Sequence, residues 1–262
     1  MLNPVGQAIS EAMKFSMRLE ERRGSIQSFD IRRLESMACP QKGNYLMYLS
    51  KEMLVAEICR DFERFDKAAQ SFLSQSVSWE LAANMSMTAL FAFSPDMAKM
   101  MARRALDMAP GNGEVISFAS DIAWFAGDLP LCTELRKRHE RLGEEMDKKL
   151  TDQDTRRILE DAGVTEGEYQ DLVAGLHALL REHLSGAMRD RVRLHFDTQH
   201  HEDGSEGLVL EVLSDMDDER LDALDDAVLE YGSDTGRWGY DLCRITTFLV
   251  RDLPQSSAEG AA

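Results

Sequence analysis

Cysteine is scarce in this chain of 262 residues: Cys39, Cys59, Cys132 and Cys243 are its only thiols, and no two stand at CxxC spacing. A disulfide scaffold and a zinc ribbon both need closely paired thiols, so neither fits, and the four read as reduced core residues. No run approaches the roughly 20 apolar residues that span a bilayer. The segment before Gly24 lacks a basic cluster followed by an unbroken apolar stretch, so no secretory signal is expected. Excess basic charge is missing too. Lys and Arg number 30 against 47 Asp and Glu, a net charge of -17. Nucleic-acid binding draws its main affinity from cations set against phosphates, so that role ranks last and basic protein faces rank first. There is no GxGxxG, no GxxxxGK[ST] and no GxSxG, so no cofactor is called for and no nucleotide or hydrolase motif is present. Elimination leaves a cytoplasmic protein, bacterial in style.

What the chain does have is helical periodicity in pairs. Ser78 to Phe93 reads as a helix broken at Ser94-Pro95, followed by Asp96 to Ala109, which stops at Pro110-Gly111-Asn112-Gly113. Glu114 to Ala126 and Leu131 to Leu142 repeat the arrangement around Gly127-Asp128-Leu129-Pro130. Trp79 to Gly113 spans one 34-residue period, the size of a stacked helix-turn-helix unit. One pair cannot bury its own apolar face, so neighbours must stack. Tyr45 stands one period before Trp79, and Asn44 to Gln75 reads as a third, divergent unit with an altered turn.

The run Ala102-Arg103-Arg104-Ala105-Leu106-Asp107-Met108-Ala109-Pro110-Gly111-Asn112 resembles the end of a tetratricopeptide repeat and its Pro-Asn turn. Gly127-Asp128 falls where that family turns between helices, and Ala98 and Cys132 where it keeps a small residue. The first helices depart from the pattern, with Ala82, Met85, Ser86, Ala89, Ile116, Ala119, Ser120 and Ala123 at packing positions. The resemblance implies a stack whose concave face is lined by Glu80, Ala83, Met87, Leu90, Glu114, Ser117, Asp121 and Trp124. Such a face is partly apolar with three acids, suited to a peptide or helix bearing basic and apolar residues.

Residues 4–22 and 28–38 form amphipathic helices that suit an N-terminal cap. Gly143 to Asp154 is charged and marks the boundary between a repeat domain, 1–150, and a second domain, 151–254. The latter reads as α-β-β-α-β. A capping box at Thr165 and Glu168 opens a helix, strands run over 191–198 and 208–213, a helix follows the acids after Ser214, and a last strand runs from Leu242 to Val250. The fold class is therefore α+β, an all-α hairpin stack followed by a small sheet domain, with a disordered tail at 255–262. A three-stranded sheet leaves open edges, so a homodimer through this domain is plausible.

Two further clusters attract attention. His195, Asp197, His201 and Asp203, with His200 and Glu202 nearby, offer imidazole and carboxylate ligands for a divalent metal, against the alternative of a solvated hairpin tip. Arg237, Trp238 and Tyr240 suit a second recognition loop, or else a cover over the open end of a small core. The preferred reading is a non-catalytic interaction adaptor or chaperone-like module. The alternatives are a metal-dependent enzyme or ligand-binding domain in the C-terminal half, carried by His195, His201 and Asp203, and a chaperone of a secretion system.

Overall fold

A computed structural model describes residues 4–37, 45–143, 152–202 and 204–253, without the side chains of residues 4–8. Helices α1 (Pro4–Glu21) and α2 (Ser28–Met37) come first. Three hairpins follow: α3 (Tyr45–Cys59) with α4 (Phe62–Leu73), α5 (Trp79–Phe91) with α6 (Pro95–Met108), and α7 (Gly113–Phe125) with α8 (Leu129–Arg141). Then come α9 (Asp152–Asp161), α10 (Glu166–Leu184), β1 (Val192–His200), β2 (Glu206–Ser214), α11 (Asp218–Ser233), α12 (Thr235–Trp238), α13 (Tyr240–Ile245) and β3 (Thr246–Asp252). The α+β class holds.

The period is visible in the elements themselves. Helices α3, α5 and α7 begin at Tyr45, Trp79 and Gly113, each 34 residues after the last. Each hairpin also turns the same way. Arg60, Phe93 and Gly127 occupy the left-handed region, at φ 55°, 50° and 69°. The next amides, of Asp61, Ser94 and Asp128, reach back to the carbonyls of Ala56, Ala89 and Ala123, each at 2.9 Å. This is the bond that closes a left-handed helix stop. Asp61 and Asp128 then accept from the amides of Arg64 and Leu131, both at 3.1 Å, and so start the second helix. The first unit therefore turns as its neighbours do, not by the altered turn expected of it.

Adjacent hairpins are tied by arginines one period apart. Arg104 of α6 donates to the carbonyls of Leu73, at 2.6 Å, and Gln75, just past α4. Arg138 of α8 donates to the Pro110 carbonyl past α6 at 3.0 Å. A guanidinium satisfies the carbonyls that a helix end leaves free and sits well at its negative pole. The cap helices close the other end of the stack, so α3 is buried nearly all round, from Met53 through Ile58.

Helix α10 runs along the row of hairpin turns. His177 Nε2 lies 2.8 Å from the Phe125 carbonyl, and its ring lies 6.0 Å from Phe93. Four residues on, Arg181 donates to Ser94 Oγ at 3.4 Å, the Phe62 carbonyl at 3.0 Å and Asp66 at 2.8 Å. Past the helix, the Gly186 amide donates to the Arg60 carbonyl at 3.1 Å. The eight residues from Val173, against Gly127, to Arg181, against Ser94, advance about 12 Å at 1.5 Å each. That is close to the 8–10 Å spacing of packed helices, which lets one helix meet successive turns.

The sheet has order β1-β2-β3, with β1 antiparallel and β3 parallel to β2. Its even-numbered face carries Val192, Phe196, Leu208, Leu210, Val212 and Phe248 into the core. Phe196 reaches the stack directly, with its ring 6.2 Å from Trp124 and 5.6 Å from Phe125. Buried apolar side chains thus form one contiguous core from Ile9 to Phe248. The boundary expected at 143–154 falls mostly on residues 144–151, which lie outside the described residues, as does the tail expected to be disordered. One strand differs from expectation: Leu242 to Ile245 is the end of α13, and β3 starts at Thr246. Gly239, at φ 78°, resets the chain there, so the apolar run reaching Val250 is part helix and part strand.

Candidate partner-binding groove

The groove is built by α5 and α7. Ser78 caps α5 and Asn112 caps α7, their side chains accepting the Leu81 and Val115 amides at 3.4 and 3.3 Å. This sets the phase of both helices and turns Ala82, Met85 and Ala89, then Ile116, Ala119 and Ala123, into the core. The other side of each helix faces outward. Glu80, Glu114 and Asp121 are exposed, while Ala83, Met87 and Ser117 are half-buried. Leu90 is buried at 9% exposure and contributes a wall rather than a contact surface. Trp124 is half-buried because Phe196 of β1 packs on it, so the C-terminal sheet closes that end of the groove. Gly113, Glu114, Ser117, Phe118 and Asp121, with His139 of α8, line a cleft of about 400 Å³. Phe118 and His139 were not legible as lining residues, since their inclusion depends on the angle between α7 and α8.

Charge in the second and third hairpins is separated by layer. Neither α5 nor α7 contains a lysine or arginine, and their only ionisable acids are Glu80, Glu114 and Asp121. Helices α6 and α8 hold Lys99, Arg103, Arg104, Arg136, Lys137, Arg138 and Arg141. Several of those cations are engaged: Lys99 and Arg103 lie 3.7 and 3.6 Å from Asp128, and Arg136 donates to Asp152 at 3.0 Å. Lysine and arginine in these two hairpins are thus confined to α6 and α8.

The other sequence candidates fall elsewhere. Trp238 lies down on Tyr231, ring centroids 5.1 Å apart, and its Nε1 donates to the Tyr231 carbonyl at 2.8 Å. Arg237 lies over both rings. Trp238 covers the core edge, while Arg237 and Tyr240 are exposed, Tyr240 at 70%. In the hairpin, His195 Nε2 lies 3.8 Å from Asp197, while His200 instead pairs with Glu206 at 2.9 Å. No group of three or more His, Cys, Asp or Glu positioned to hold a metal occurs among the described residues, and Asp203 lies outside them.

A second buried polar centre was not legible in the sequence. Arg23, Glu57 and Arg60 are all nearly inaccessible, at 0%, 2% and 1%. Arg23 pairs with Glu57 and with Glu20, and donates to the carbonyls of Ile58 at 2.9 Å and Met188 at 3.0 Å. It therefore joins the cap, the first hairpin and the segment after α10. Burial pushes the Glu57 carboxyl up to about 7 against the pull of both guanidiniums, and lowers Arg60 to about 10. The cluster is enclosed, and it binds the fold together rather than facing a ligand.

No family, curated protein or solved structure matches this chain. Among the described residues no helix is long and apolar enough to cross a membrane.

Proposed function

We propose that this chain is a non-catalytic adaptor of tetratricopeptide type that holds a basic, apolar segment of a protein partner against α5 and α7, in the cytoplasm. The observation that carries this reading is the sorting of residue types between helix layers: α5 and α7 contain acids and no lysine or arginine, whereas α6 and α8 contain the arginines. Half-buried Met87 supplies adaptable apolar contact between the acids. Complementary potential of this sort speeds encounter and fixes register, while the apolar contacts set residence time. A homodimer through the C-terminal sheet belongs to the same proposal.

The test uses a fluorescent amphipathic peptide of leucine and lysine and its glutamate counterpart, titrated by anisotropy. Saturable binding of the basic peptide alone, weakened about tenfold or more by Glu80→Lys with Glu114→Lys, supports the groove. The outer-layer control Glu134→Lys leaves binding unchanged. Equal binding by wild type and the double variant, both shown folded by circular dichroism, refutes it.

A further inference from the structure

The sheet has two edges, and they are not equivalent. Strand β1 offers nine residues with an unbroken register and no proline, whereas β3 offers seven. Edge strands that stay unpaired are usually shortened, bulged or interrupted. Strand β1 is neither short, bulged nor interrupted, and the charges it carries, Arg193 and Asp197, are of opposite sign.

The outward-facing backbone groups of β1 follow from the ladder. Just past its two ends, the Asp215 amide donates to the Arg191 carbonyl at 3.3 Å and the His201 amide to the Ser205 carbonyl at 2.8 Å. These pairs continue the β1–β2 register, so its odd-numbered residues bond to β2. The amides and carbonyls of Val192, Leu194, Phe196, Thr198 and His200 therefore face the free edge. Thr198 agrees: its amide turns to the Asp197 carboxylate at 2.7 Å.

We propose that the partner of this edge is β1 of a second copy, antiparallel, with His195 facing itself across the two-fold axis. It rests on the sheet-dimer reading above and names the edge and the register. In this register Leu194 bonds opposite Phe196 of the second copy, and Val192 opposite Thr198, giving about eight interchain backbone hydrogen bonds once each Thr198 amide exchanges the Asp197 carboxylate for the Val192 carbonyl of the other copy. The odd residues form the non-bonded pairs, where side chains come closest. There Arg193 meets Asp197 of the second copy, and the symmetry makes that ion pair twice. Arg193 is exposed and has no carboxylate in ion-pair range among the described residues. The two neighbouring symmetric registers set Arg193 opposite His195 or Gln199 instead. Only one register gives it an acid.

Sedimentation velocity on the full chain tests this across a concentration series. Wild type is expected to pass from 29.6 kDa to twice that mass. Asp197→Arg places two arginines opposite each other and should weaken the dimer about tenfold or more. Arg193→Asp combined with Asp197→Arg swaps the pair in both copies and should restore it. Thr198→Pro removes an edge-facing amide but no bond to β2, and should leave a folded monomer. A wild type that stays monomeric at every concentration overturns both this inference and the dimer. A dimer that survives Thr198→Pro, or ignores Asp197→Arg, overturns the edge and register and leaves a dimer through another surface. Peptide binding by these variants should match wild type, which separates this result from failure of the groove.

Discussion

Substituting Gly127 by alanine tests the tightest junction between the stack and α10. A left-handed backbone costs an L-residue about 1–2 kcal/mol, yet Arg60 and Phe93 bear it at the equivalent turns. What sets Gly127 apart is its neighbour. A Cβ there would stand 3.0 Å from Val173 Cβ, 3.1 Å from its Cγ2 and 3.3 Å from the Gln170 backbone. Helix α10 cannot recede locally, because His177 and Arg181 fasten it to the same row of turns. Overpacking of this kind costs about 1–3 kcal/mol beyond the backbone strain. Gly163 supplies the control. It has φ 72° after α9, its following amide closes onto the Leu159 carbonyl at 2.9 Å, and nothing lies within 4 Å of an added Cβ. The gain from restricting the unfolded chain is common to both substitutions and cancels. Urea unfolding should therefore show Gly163→Ala losing about 1 kcal/mol and Gly127→Ala about 3 kcal/mol, with equal m-values. Adding Val173→Ala to Gly127→Ala should recover about 1 kcal/mol of coupling, since the Cγ contact disappears. If the two alanine variants agree within about 0.5 kcal/mol, α10 does not press on the turn and the account of its docking fails.

Other substitutions probe the rest of the core. Gly175→Ala would drive a Cβ into Tyr231 Oη, so it should destabilise by about 1–3 kcal/mol despite better helix propensity. In thermal unfolding, Tyr231→Phe should offset part of that loss, although alone it forfeits the 2.6 Å bond to the Leu172 carbonyl. Burial lowers His177 to about 4 from an ordinary 6.5. The unfolded chain then takes the proton first, so this stability is whole above pH 6.5 and lost as pH falls towards 4, by up to about 3 kcal/mol. The stability of wild type relative to His177→Phe should shrink by that amount from pH 7 to 4; the opposite slope from Glu57 is common to both proteins and cancels. Glu57→Gln removes the buried carboxylate between two guanidiniums, leaving Arg23 with Glu20 and Arg60 with no acid in close contact among the described residues, and should cost about 3–5 kcal/mol by urea unfolding. A loss under about 1 kcal/mol would show that Glu20 and the backbone carbonyls suffice for Arg23 and Arg60.

Local signals carried the hairpins well. The period from Trp79 to Gly113, the capping box at Thr165 and Glu168, and the alternation from Val192 onward are properties of neighbouring residues, and all three stand in the fold. Long-range consequences were not written locally. His177 falls on the same stripe as Val173, Leu176 and Leu180, so periodicity places it inward, but its carbonyl acceptor lies 52 residues away. Nothing local marks Arg23, just past α1, as buried, because its partners Glu57 and Met188 come from remote segments. The loop around Trp238 held two readings that composition could not separate, and the indole bond to the Tyr231 carbonyl decides for cover over contact. Trp124 is the converse case, since the same inward-facing spacing that made it groove-lining also made it available to Phe196.

That contact bears on how the groove can work. With Phe196 at the Trp124 end, the open length runs from Glu80 through Met87 and Ser117 to Asp121. An occupant reads mainly acids interleaved with a flexible thioether, not an aromatic anchor. Selectivity then has to come from charge. In the proposed adaptor it can, because the arginines of the other layer are held in structural contacts: Arg104 and Arg138 close carbonyls of the preceding hairpin, and Arg136 holds Asp152. Exchanging an arginine of α6 or α8 for a neutral residue would loosen the stack before it altered the groove. Exchanging Glu80 or Glu114, both exposed, would alter the groove and leave the stack intact. In the proposed adaptor the two layers therefore separate stability from recognition.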